Sequence, residues 1–160
     1  MDLAPRPPAR ATLSQVMLPG DANPYGNVHG GTIMKLVDTA GAIAAHRHAR
    51  RRVVTIEIDS MTFLQPVHVG DLVTLEARVT AVWRTSIETL VEVTAENIVT
   101  GAVRHTSTAF VVYVALDEQG RPTPVPPLLL TTPEEHALAR AAAVRRQRRL
   151  AERLHPADER

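Results

Sequence analysis

Asp38 stands two helical turns beyond the run Asn27-Val28-His29-Gly30-Gly31, and these residue types could supply a base or nucleophile and donors for a developing oxyanion. A carboxylate at the border of an apolar surface loses part of its hydration, which raises its basicity and fits it to act as a general base or a nucleophile. Gly30-Gly31 permits close backbone approach, and the first amides of a helix have no intrahelical acceptor. Together with the positive end of the helix dipole, those amides can hold a developing oxyanion. The Asn27 carboxamide adds a donor or orients a water, and His29 at the helix mouth can orient a neighbour or touch substrate. Each residue also has a plainer reading. Asn27 serves a turn, the glycines serve packing, and His29 starts a helix. Asp38 then pairs on the surface with Lys35 one turn earlier, a contact worth about 0.3 kcal/mol. Spacing alone favours the plainer readings.

Other chemistries find less support. His46-x-His48 would diverge on a helix, where paired metal ligands need spacings of three or four, and cysteine is absent, so no metal centre is expected. His68 and His105 read as loop and sheet residues. There is no Gly-x-Ser-x-Gly elbow and no Gly-Lys-Ser/Thr phosphate loop. Arg84 and Ser86 share a turn between two strands, where a cation and a hydroxyl could meet a phosphate. The arginines from Arg140 to Arg153 invite a nucleic-acid reading, but the formal net charge is only +1 and the tail carries no aromatic residue. A solvated helix face is the expectation. Neither nucleic acid nor membrane is expected as a partner. The missing cysteines fit a reducing compartment, so a cytoplasmic protein is expected.

The elements that must position these residues follow from hydropathy. Residues 1–10 are rich in Pro and Arg and read as a disordered lead-in rather than a signal peptide. A short strand is predicted over Ala11 to Leu18, then a turn-rich stretch to Asn27. Ile33, Leu36, Val37, Ala40, Gly41, Ile43 and Ala44 fill one arc of a helix over about Gly30 to His48, with Asp38 flanking the arc. From Arg52 the period becomes two, giving four long strands that end near Phe63, Trp83, Ala95 and Leu116. Joined by short turns, they predict an antiparallel meander wrapped around the helix, an α+β architecture. Gly120 to Leu130 reads as a Pro-rich exit loop. Thr132-Pro133-Glu134-Glu135 opens a C-terminal helix with a capping box, expected to be an appendage.

The run from Val16 to Asp38, with Val54-Thr55, Ser60 to Phe63, Pro66 to Asp71 and Phe110 to Leu116, resembles the cytosolic acyl-CoA thioesterase family of the brain acyl-CoA hydrolase type. The resemblance implies a hotdog fold, a curved antiparallel sheet around a central helix, over residues 11–127, with residues 128–160 as an extension. It implies hydrolysis of fatty acyl-CoA to free acid and CoA, with Asp38 activating water or attacking the thioester. Asn27 and the amides near His29, Gly30 and Gly31 would act at the carbonyl. Because hotdog domains pair through their sheets, the two ends of the site would come from different subunits, assembled further as a trimer of dimers. No cofactor is implied beyond CoA as part of the substrate. Arg84 and Ser86 would lie near the CoA nucleotide, and Val54, Thr55, Ile56 and Glu57 along the pantetheine channel. Two other functions compete: a hotdog hydratase using His29, and a non-catalytic acyl-CoA sensor.

Overall fold

The computed structural model describes residues 3–154. Chain order is β1 (Arg10–Val16), a short 3-10 turn (Pro19–Asp21), α1 (Gly30–Ala49), β2 (Arg52–Phe63), β3 (Leu72–Val82), β4 (Ser86–Glu96), β5 (Val103–Leu116) and α2 (Pro133–Leu154). The strands form one antiparallel sheet in the order β1-β3-β4-β5-β2. Period-two alternation turns Val73, Leu75, Ala77, Ile87, Val91, Val93, Val111 and Tyr113 to one face. There they share a core with Ile33, Val37, Ala40 and Ala44 of α1. The alanines let the helix lie close to the sheet, which bends around it with register shifts at Thr55/Glu57, Ile58/Ser60, Val79/Ala81 and Val93/Thr94. This is the hotdog architecture.

The predicted four-strand meander needs a correction. Only β3, β4 and β5 run as one, because β2 pairs with β5 and forms the opposite edge from β1. The eight residues Leu64 to Asp71 between β2 and β3 exceed the length of a tight hairpin and cross instead beneath the start of α1. Val28 donates to the Val67 carbonyl at 2.8 Å, and Gly70 donates to that of Met17 at 2.8 Å. Arg104 locks the crossing by donating to Asp71 Oδ2 at 2.6 Å and to the Pro66 carbonyl at 3.1 Å. The crossing therefore builds one wall of the helix mouth.

Residues 3–10 are also not a loose lead-in; Met1 and Asp2 lie outside the described residues. Leu129 donates to the Arg6 carbonyl at 2.7 Å and Arg6 to that of Pro127 at 3.0 Å, so two Pro-rich stretches lie side by side. Proline holds both in the extended conformation that such pairing needs. Beneath them His48 is buried, with Nε2 2.9 Å from the Pro126 carbonyl. Burial pushes its pKa below the ordinary 6.5, against the pull of the Pro126 and Pro7 carbonyls.

α2 begins with the predicted capping box. Glu135 donates its amide to Thr132 Oγ1 at 3.1 Å, while Glu135 Oε2 accepts from the Thr132 amide at 3.2 Å. The expected appendage with a solvated arginine face is overturned, because α2 lies on the outer face of the sheet with Arg145, Arg146 and Arg149 turned inward. Arg145 makes a two-pronged pair with Glu88, at 2.7 Å and 3.1 Å, and its guanidinium stacks 3.7 Å from the Phe110 ring centroid. Arg149 bridges Glu88 and Asp59, Arg148 also holds Asp59, and Arg153 reaches Glu57 at 2.9 Å. The carboxylates of Glu88 and Asp59 are fully buried. Charged sheet residues under a helix require opposite charges from it, which is why arginine recurs at spacings of three and four along α2.

Candidate active site

The turn before α1 is organised by Asn23, whose Oδ1 accepts the amides of Tyr25 at 2.9 Å and Asn27 at 3.2 Å. Gly26 completes it at φ 84°, a left-handed conformation that glycine adopts without strain. His29 then stands as N-cap without a side-chain cap bond. Thr32 and Ile33 donate to the His29 carbonyl, whereas the amides of Gly30 and Gly31 have no acceptor among the described residues. Gly30 lines a cleft of about 350 Å³ together with Asn27, Val28, Ile33, Phe63 and Pro66. Phe63 reaches over Gly30, where an added Cβ would touch the ring at 3.4 Å. Asn27 itself is engaged elsewhere, with Oδ1 3.2 Å from His68 Nδ1.

Asp38 lies eight residues along α1 from Gly30, about 12 Å at the α-helical rise. One chain thus keeps the two halves of the predicted site apart. The Asp38 carboxylate is not in the surface pairing with Lys35. Its Oδ1 accepts the Thr55 hydroxyl at 2.7 Å from β2 and lies 3.3 Å from the Tyr113 hydroxyl of β5. The Tyr113 hydroxyl also donates to the Asp38 main-chain carbonyl at 2.9 Å. Oδ2 accepts nothing among the described residues. One carboxylate oxygen is therefore fixed while the other is free to take a proton.

The residues Val54 to Glu57 divide between the two faces of the sheet. Thr55 turns to Asp38, while the register shift beside it turns Ile56 and Glu57 outward under α2. Val54 is half-buried opposite Val114. Arg84 is exposed at the β3–β4 turn, and Ser86 Oγ accepts from Arg146 Nη1 at 3.4 Å. Sequence reasoning gave Thr55 a channel role and missed Tyr113 and Asn23. The available signals were Asn23 four residues before Asn27 in a turn, and a lone tyrosine among the valines of β5. Among the described residues no His, Cys, Asp and Glu side chains gather in a group that could hold a metal ion, and no helix is long and apolar enough to cross a membrane.

A sheet wrapped on a helix that carries a half-held carboxylate places the chain in the hotdog class, and a family model for the thioesterase superfamily matches residues 25–102. YkhA of Bacillus subtilis, described as an uncharacterized acyl-CoA thioester hydrolase, is 38% identical over 87% of this chain and 81% of its own. An apo-hexameric acyl-CoA thioesterase superposes with a TM-score of 0.87 at 36% identity, over 92% of this chain and 97% of that one. The acyl-CoA hydrolase of Staphylococcus aureus, solved with butyryl-CoA and CoA, gives 0.84 at 29% identity over 91% and 89%. The chain belongs to the acyl-CoA thioester hydrolases.

Proposed function

We propose that this enzyme hydrolyses fatty acyl-CoA to free fatty acid and CoA in the cytoplasm, with Asp38 as the base and no cofactor in the steps. The observation that carries the reading is the presentation of Asp38, with Oδ1 held by hydroxyls and Oδ2 unclaimed. Oδ2 takes a proton from water as the water oxygen bonds to the thioester carbon, and the carbonyl electrons move to oxygen. Collapse of that oxyanion breaks the C–S bond, and the CoA sulfur takes the proton back from Asp38. The oxyanion requires donors that one chain does not bring to Asp38. The Gly30 and Gly31 amides of a second copy supply them, together with an asparagine of the same turn.

That asparagine is Asn23 rather than Asn27. In the Staphylococcus aureus enzyme, an asparagine, an aspartate and a threonine have each been replaced by alanine, at intervals of 15 and 17 residues. Asn23, Asp38 and Thr55 stand at the same intervals. Asn27, tied to His68, closes the turn. The free edge of β2 suits pairing with a second copy, and the hexameric neighbour supports a trimer of such dimers. Arg84, Ser86 and Arg146 flank the end of the β3–β4 turn where the CoA phosphates would be met.

Incubation with acyl-CoAs of graded chain length, following free thiol, tests this reading. Release of thiol and acid in equal amounts is expected. Asn23→Ala is expected to lower kcat by about 10²-fold and Asn27→Ala far less. CoA binding without thiol release at any length would instead mark a sensor.

A further inference from the structure

Tyr113 is the largest fully buried side chain, and its hydroxyl is the part that packing alone does not require. A phenylalanine would fill the same volume, and a buried hydroxyl is tolerated only where it is bonded. The helix makes room for it at Gly41, where an added Cβ would run into the Tyr113 hydroxyl and lie 2.8 Å from Thr89 Oγ1. Two positions, 41 and 113, are thus shaped to bring one hydroxyl to Asp38. It donates to the main-chain carbonyl at 2.9 Å and lies 3.3 Å from Oδ1. An interior helical carbonyl already serves the amide one turn on, so the hydroxyl takes its second lone pair.

We propose that Tyr113 is a positioning residue, bridging the Asp38 carbonyl and Oδ1 so that Oδ2 is the oxygen that faces the reacting water. This rests on the reading of Asp38 as the base. Thr55 approaches Oδ1 from the exposed side of β2 and Tyr113 from the core, so the carboxylate plane is held from two directions. Burial, and then the Asp38 charge, keep the phenol protonated far above its usual range, so it remains a donor wherever the fold persists. A carboxylate freed from one of two anchors spends more time misaligned with the attacking water, which lowers turnover and leaves substrate binding unchanged.

The test assays Tyr113→Phe and Asp38→Asn beside the wild type with one acyl-CoA, and records thermal melting of each. Expected for Tyr113→Phe is a kcat lowered about 10-fold with KM within about two-fold of wild type. Wild-type kcat in Tyr113→Phe, or a loss through KM alone, beside an inert Asp38→Asn would overturn the positioning role and leave Asp38 as the base. An active Asp38→Asn would remove the reading beneath both. Should Tyr113→Phe not fold, fluorotyrosine incorporated into a Tyr25→Phe chain labels Tyr113 alone, since the sequence has 2 tyrosines. The more acidic phenol draws charge from Oδ1, so kcat is expected to fall at least about two-fold against the unlabelled chain at constant KM. An unchanged kcat there would equally overturn the proposal.

Discussion

Asp38→Asn is expected to lower thiol release by about 10²–10⁴-fold, the range that a positioned general base contributes. The carboxamide has the same shape, and its oxygen can still accept from Thr55 and Tyr113, so melting should shift by only a few degrees. The separation of activity from stability is the informative part. A variant that loses turnover because it unfolds says nothing about proton transfer, whereas a folded and inert one isolates the missing charge. Retention of more than about a tenth of wild-type turnover would contradict the assignment of a base.

Glu88→Leu carries the largest expected effect on stability. Its carboxylate is fully buried and receives Arg145 at 2.7 Å, Arg149 at 3.3 Å and the Thr80 hydroxyl at 2.8 Å. Removing it leaves the Arg145 guanidinium against the sheet without its carboxylate, and Arg149 with only Asp59, which Arg148 also holds. Breaking a buried ion pair from one side costs about 3–5 kcal/mol, equal to a fall in Tm of about 10 °C for a chain of this length. Glu92→Gln is the matched control, since that carboxylate is 46% exposed and lies 3.9 Å from Arg78. An exposed pair contributes less than about 1 kcal/mol. Equal shifts in the two variants would mean that α2 does not depend on the buried network. The network also reaches the site: Asp59 and Glu57 tie β2 to α2, and β2 carries Thr55 to Asp38.

Much of this architecture was legible because periodicity reports burial. The alternation from Val73 to Trp83 and the apolar arc of α1 correctly predicted a helix lying inside a sheet. Strand order was not legible, because period two says which face a side chain takes and nothing about its neighbours. The chemical residues stood out only in part. Asp38 marked itself by flanking the apolar arc, but its partners Thr55 and Tyr113 come from strands 17 and 75 residues away. Tyr113 stands out locally only as a lone tyrosine among valines, and nothing near either residue ties it to Asp38. The arginines of α2 misled for the same reason. A basic helix looks solvated until Glu88 and Asp59, distant in sequence, are found beneath it.

In the proposed site, Asp38 of one copy works with the Asn23 turn of another. Asp38→Asn and Asn23→Ala chains, each nearly inert alone, can be co-expressed under two different tags and the mixed oligomer isolated. A mixed two-fold pair holds one intact set of residues out of two, and about half of the pairs in a randomly mixed trimer of dimers are mixed, so turnover is expected to return to about a quarter of wild type. Mixed oligomers as inert as either parent would contradict a site shared between copies.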